Sequence, residues 1–145
     1  IMQHKRTTHF PLFEGYCRKN AIDSKEIVAT ISGTKVTLKV AANEDTKAKG
    51  YMGSDEPINN DGMLFVYEMP DDLGFWMKNV SFALDIIFFD DKFNYINHHT
   101  MDPYDGEQDS ELQIYKSDKP AMYAVELKSG WVESNTNGSN ITLKI

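Results

Sequence analysis

The sequence has little cysteine, no long apolar run and no excess of positive charge. Cys17 is the single cysteine among 145 residues, so neither an intrachain disulfide nor a cysteine-based zinc site can form. No apolar stretch approaches the roughly 18–20 residues that cross a bilayer. The net charge of −7 argues against nucleic acid as a main partner, because phosphate binding needs a concentrated basic face. What remains is the ordinary composition of a soluble globular protein.

Several catalytic signatures are also missing. The sequence contains no phosphate-binding glycine-rich loop, no nucleophile elbow and no Cys-x-x-Cys pair. We therefore assign no catalytic residue, no cofactor and no metal ligand from sequence. No secretory signal is visible, and the start at Ile1 is compatible either with a removed leader or with an artificial start.

The pattern of apolar residues predicts a mainly β fold. Residues 1–25 show no sustained period and are predicted to be a poorly patterned N-terminal arm. Residues 26–145 are predicted to form one domain, because short apolar or alternating runs recur between turn signals. We expect a β-barrel or sandwich of about seven or eight short strands with one or two short helices, which is α+β at the margin. The predicted strands cover residues 27–31, 36–40, 63–67, 75–78, 84–89, 93–98, 121–127 and 141–145.

Three charged residues lie inside otherwise apolar runs: Lys78, Asp85 and Glu126. A charge in a buried strand is costly unless it is paired, hydrogen-bonded or at the wall of a pocket. A turn between Lys78 and Asp85 would let the two charges meet. The pair would be either a structural ion pair or an anchor for a ligand, and both interpretations stay open.

Five segments of the chain match motifs of a known family. They are Lys-Gly-Tyr-Met at 49–52, Gly-Met-Leu-Phe-Val-Tyr at 62–67, Phe-Trp-Met-Lys-Asn at 75–79, Leu-Asp-Ile-Ile-Phe-Phe-Asp at 84–90, and Ala-Val-Glu-Leu at 124–127 followed by Gly-Trp at 130–131. In order and spacing these segments resemble the DUF192 family, also called UPF0127, over residues 35–145. The resemblance implies a compact, mostly β domain that is often exported in bacteria and archaea, and it implies no reaction.

We therefore expect an exported, non-enzymatic binding or accessory domain, although the sequence does not settle whether it catalyses a reaction. The predicted site comprises Trp76, Lys78, Asn79, Asp85 and Glu126, and its expected ligand is a small polar or anionic molecule such as a sugar acid or a peptide end. One alternative is a hydrolase acting on a glycan, with Asp85 and Glu126 or His99 as acid and base. The other is a purely structural domain with a buried ion pair. Neither the oligomeric state nor a role for Cys17 follows from the sequence.

Overall fold

The computed structural model describes residues 21–145, and the Cys17 position and most of the predicted N-terminal arm lie outside this range. The predicted mainly β class is confirmed. The strands are β1 (Glu26–Ile31), β2 (Thr34–Ala41), β3 (Asp61–Asp71), β4 (Gly74–Phe75), β5 (Leu84–Phe89), β6 (Tyr95–Met101), β7 (Tyr115–Lys116), β8 (Ala121–Lys128) and β9 (Leu143–Lys144). Within residues 21–145 the fold also contains two short helices, α1 (Glu44–Lys49) and α2 (Trp131–Asn135), and a 3-10 turn at Asp109–Glu111.

Seven strands form one curled sheet in the order β6-β5-β8-β3-β2-β1-β9, and β4 pairs with β7 in a separate ribbon. The β1–β2 hairpin has a two-residue loop in which Ser32 and Gly33 have φ of 47° and 86°. Positive φ at both central residues matches the twist of the flanking strands, which is why glycine is favoured there. Strands β2 and β3 are parallel, and this requires the crossover that contains α1.

Both faces of the sheet are covered. One apolar cluster includes Leu38, Leu64 and Trp131, and the cluster on the opposite face includes Phe65 and Phe88. All six residues of β5 are buried, which explains why its sequence is apolar at every position except Asp85 rather than alternating. No helix among residues 21–145 combines the length and apolarity that crossing a membrane requires.

Helix α1 is held in place by a carboxylate from outside the helix. One oxygen of Asp23 accepts hydrogen bonds from the Ala42 and Asn43 amides at 2.7 and 3.0 Å and from the Thr46 hydroxyl at 2.6 Å. Burial by itself would raise the pKa of Asp23, but the hydrogen bonds from Thr46, Ala42 and Asn43 outweigh it and lower the pKa. The segment before β1 thus fixes the start of α1, one wall of the cleft described below.

Candidate functional site

A cleft of about 280 Å³ opens between α1 and the loop that follows β4. Its floor comes from β3, β5 and β8, and its walls come from α1, the turn after α1, β4 and the residues after β4. The lining side chains are mostly charged or aromatic. They include Glu44, Lys47, Lys49, Tyr51, Met52, Phe65, Tyr67, Phe75, Trp76, Met77, Lys78, Leu84 and Glu126.

Glu126 is at the floor of this cleft and is only 4% exposed. It is paired in register with Met63 on β3 and Ile86 on β5, so it lies in the middle of the sheet. Within residues 21–145 its carboxyl makes no hydrogen bond or ion pair. Burial without a compensating partner raises its pKa from 4.5 to about 8. Glu126 is therefore a neutral acid over most of the physiological pH range when the cleft holds no ligand.

Glu126 affects the pKa values of two tyrosines that also line the cleft. Burial, and then the charge of Glu126, raises the pKa values of Tyr51 and Tyr67, so both phenols are neutral. The ammonium group of Lys47 lies 4.0 Å from the centroid of the Tyr67 ring and 3.5 Å from a carboxylate oxygen of Glu44. The face of Tyr67 thus already supports a positive charge.

Lys78 and Trp76 form the opposite rim of the cleft. The expected ion pair between Lys78 and Asp85 is wrong. Lys78 Nζ lies 2.9 Å from Asp109 Oδ2, a residue of the 3-10 turn in the polar loop. This hydrogen bond raises the pKa of Lys78 and keeps the ammonium charged. The same nitrogen lies 5.6 Å from the centroid of the Trp76 ring, and Trp76 is 41% exposed.

Asp85 lies on the other face of the sheet. It is paired in register with Leu127, whereas the next residue, Ile86, is paired with Glu126, and successive strand residues point to opposite faces. The buried Asp85 carboxylate accepts hydrogen bonds from the Thr100 hydroxyl at 2.8 Å and the Val132 amide at 2.9 Å. Asp85 therefore ties β5 to β6 and to the first turn of α2, and it does not line the cleft.

Asn79 is exposed and is also absent from the cleft lining. It has φ of 60°, and the Val80 amide donates to the Met77 carbonyl at 3.0 Å, which closes a turn. Asparagine tolerates this left-handed conformation better than most residues. Asn79, which was predicted to belong to the site, therefore has a role in the turn and does not line the cleft.

The structure brings Trp76, Lys78 and Glu126 to one cleft and leaves Asp85 and Asn79 outside it. The sequence reasoning missed Lys47, Tyr51 and Tyr67 as lining residues. A signal for two of them was present, because Tyr51 and Tyr67 belong to the family-like segments at 49–52 and 62–67. Their roles depend on α1 folding over β3, and neither segment reveals that contact by itself.

The structure does not bring together the acid and base residues that the sequence suggested for glycan hydrolysis. Asp85 and Glu126 are on opposite faces of the sheet, so they cannot flank one glycosidic bond. One ring nitrogen of His99 lies 2.8 Å from the Lys116 carbonyl oxygen, and His99 is not among the residues that line the cleft. Within residues 21–145, no three His, Cys, Asp or Glu side chains come together as metal ligands.

The comparisons with solved structures agree with this architecture. A protein of unknown function from Novosphingobium aromaticivorans DSM 12444 is 24% identical, with a TM-score of 0.72, over 83% of this chain and 85% of that chain. A "putative transcription regulator" from Sinorhizobium meliloti 1021 is 21% identical, with a TM-score of 0.72, over 85% of this chain and 95% of that chain. At these identities the likeness shows a shared fold alone.

No curated protein matches the chain significantly. The model of the DUF192 family, described as "Uncharacterized ACR, COG1430", matches residues 27–143, which is most of the chain. The match includes at least part of every strand and all of both helices, and it includes all of the segments that carried the resemblance. The chain therefore belongs to the DUF192 family.

Proposed function

We propose that the domain is a non-enzymatic binding module whose cleft holds a small polar ligand with an anionic group, such as a sugar acid or a peptide end. The observation that carries this proposal is the cleft with Trp76 and Lys78 at its rim and the buried Glu126 at its floor. A volume of about 280 Å³ suits a molecule of the size of one sugar or a short peptide terminus.

Charge at the rim favours an anionic group there. Lys47, Lys49 and Lys78 all line the cleft, and Glu44 is the acidic residue of the lining besides Glu126. Because Glu126 is neutral near pH 7 in the empty cleft, the lining has a net positive charge. The ammonium group of Lys78 lies at the surface, where a ligand carboxylate can share it with Asp109.

Trp76 supports the same location. A large aromatic side chain that is 41% exposed beside a cleft leaves apolar surface in water. Such surface is typical of contact sites, since stacking against a sugar ring or a peptide plane buries it. Trp76 thus supplies a flat wall and Lys78 supplies the charge.

The test is a binding screen by thermal shift and isothermal titration. The panel comprises glucuronate, galacturonate and tripeptides with free carboxyl ends. We expect Lys78→Met and Trp76→Ala to weaken binding at least tenfold, whereas the matched exposed controls Lys92→Met and Ile58→Ala leave it unchanged. Unchanged affinity in both cleft variants, or no binding by any member of the panel, would refute the proposal.

The two alternatives from sequence have less support. Glycan hydrolysis through Asp85 and Glu126 requires both carboxyls on one face of the sheet, but they lie on opposite faces. A core in which all three charges satisfy one another is wrong, because Lys78 is paired at the surface and Glu126 has no partner among residues 21–145. Export of the protein stays a prediction that cell fractionation can test.

A further inference from the structure

We propose that Glu126 is the second recognition group of the cleft and that it binds a cationic amine of the ligand. This inference rests on the proposed binding function and extends it to a class of ligand: amine-bearing molecules, and zwitterions when the rim lysines hold an anionic group as well. The observation behind it is that Glu126 is only 4% exposed, lines the cleft and has no side-chain partner within residues 21–145.

Buried carboxyls in proteins are normally paired or hydrogen-bonded, because desolvation without compensation is costly. The two cations whose positions are fixed near the cleft do not supply the compensation. Lys47 lies against Glu44 and the Tyr67 ring, and Lys78 is bound to Asp109. The Glu126 carboxyl therefore lies at the cleft interior as an acceptor that a group of a bound ligand can pair with.

The surroundings of Glu126 favour a cation as that complement. The interior walls are formed by Tyr51, Phe65, Tyr67 and Phe75, whose ring faces carry negative electrostatic potential. An ammonium group among these rings would gain from the carboxylate and from the aromatic faces together. A ligand anion at the same depth would be repelled by Glu126 once that carboxyl ionised.

Amine binding at this site is coupled to loss of a proton. The groups that face Glu126 or influence the same region are the Tyr51 and Tyr67 phenols, the carboxylates of Glu44 and Asp61, and the rim lysines. Their raised pKa values keep both phenols neutral. Glu126 has a pKa of about 8 in the empty cleft, and its ionisation is the step to which amine binding is coupled.

The affinity of the cleft for a cation should rise with pH. Below pH 8 the empty cleft holds Glu126 as the neutral acid, and an ammonium ion binds best to the carboxylate. Binding therefore releases up to one proton, and affinity for the cation rises about tenfold between pH 6 and pH 7 and about fivefold between pH 7 and pH 8. A ligand that accepts a hydrogen bond from the neutral acid would show the opposite trend.

The experiment measures the titration of Glu126 directly. The side-chain carboxyl carbons of glutamate are labelled with carbon-13, and the Glu126 signal is assigned by through-bond correlation and by its loss in Glu126→Gln. The full chain is titrated from pH 4.5 to 9.5 alone, with butylammonium chloride, with butanol, and with sodium chloride at matched ionic strength. We expect the pKa of Glu126 to be raised in the protein alone. Only butylammonium should lower this pKa, and by more than one pH unit.

Two results would overturn the proposal: an ordinary Glu126 titration in the protein alone, or equal titrations with butylammonium and with sodium chloride. Glu56→Gln, a change at an exposed loop residue, is the control and should leave the butylammonium effect intact. The test separates the two proposals. If butylammonium has no effect but the anionic panel still depends on Lys78, the amine inference fails and the binding function stands; the reverse outcome removes the anionic ligand.

Discussion

Replacing Glu126 with glutamine should change how the stability of the protein depends on pH. Burial raises the pKa of Glu126 from 4.5 to about 8. The folded state thus holds its proton more tightly than the unfolded chain does, so this residue has no electrostatic cost below pH 4.5. Its contribution to stability becomes unfavourable as pH rises from 4.5 to 8. Glutamine keeps the shape of the side chain and removes the proton equilibrium.

The size of the effect follows from the pKa shift. Each pH unit between the two pKa values changes the free energy of unfolding by about 1.4 kcal/mol, so the interval from pH 5 to pH 7.5 corresponds to roughly 3 kcal/mol. Because the cleft is open to water, we expect a measured effect of about 2–3 kcal/mol. Wild type and Glu126→Gln should have similar stability at pH 5, and the variant should be the more stable one at pH 7.5.

The assay is urea unfolding of both proteins at half-unit steps between pH 4.5 and 8.5. The informative quantity is the difference in unfolding free energy between the two proteins at each pH, because contributions that both proteins share cancel. Glu56→Gln is the matched control and should follow the wild type throughout. Parallel curves for wild type and Glu126→Gln would refute the conclusion that burial of an unpartnered carboxyl controls this residue.

Three further changes test the structural assignments by the same unfolding assay. Asp85→Asn should destabilise the fold by about 2 kcal/mol, because the amide group cannot accept hydrogen bonds from the Thr100 hydroxyl and the Val132 amide through two oxygens, as the carboxylate does. Thr100→Val should cost about half as much. If neither substitution changed the stability, Asp85 would not tie β5 to β6 and α2. Gly62→Ala should destabilise by about 1–3 kcal/mol, since an added Cβ would lie 2.4 Å from the Glu126 carbonyl oxygen, and a neutral result would mean that β3 and β8 are further apart. Asn79→Gly should be neutral and Asn79→Ala should cost about 1 kcal/mol, because φ is 60° there; equal stability of the two variants would exclude a left-handed turn.

Much of the fold follows from local patterns in the sequence. The Ser32-Gly33 hairpin, the alternating strand at 36–40 and the buried run at 84–89 were each predictable, because turn chemistry and apolar period are properties of a few neighbouring residues. The two-residue strands β4 and β7 were predicted less well, because residues 75–78 were predicted as one longer strand and residues 115–116 were not predicted as a strand. Each is only two residues long and exists because it pairs with the other across about 40 residues of chain.

The sequence by itself determined that Lys78, Asp85 and Glu126 are exceptional, since charges inside apolar runs need a compensating environment. Only the tertiary structure decided what that environment is. Lys78 forms an ion pair with Asp109, which lies in a loop far along the chain. Asp85 accepts a hydrogen bond from the start of α2, and Glu126 lines a cleft. The reason is that the face on which a strand residue lies, and the partner it finds there, depend on register and on contacts between segments far apart in the chain.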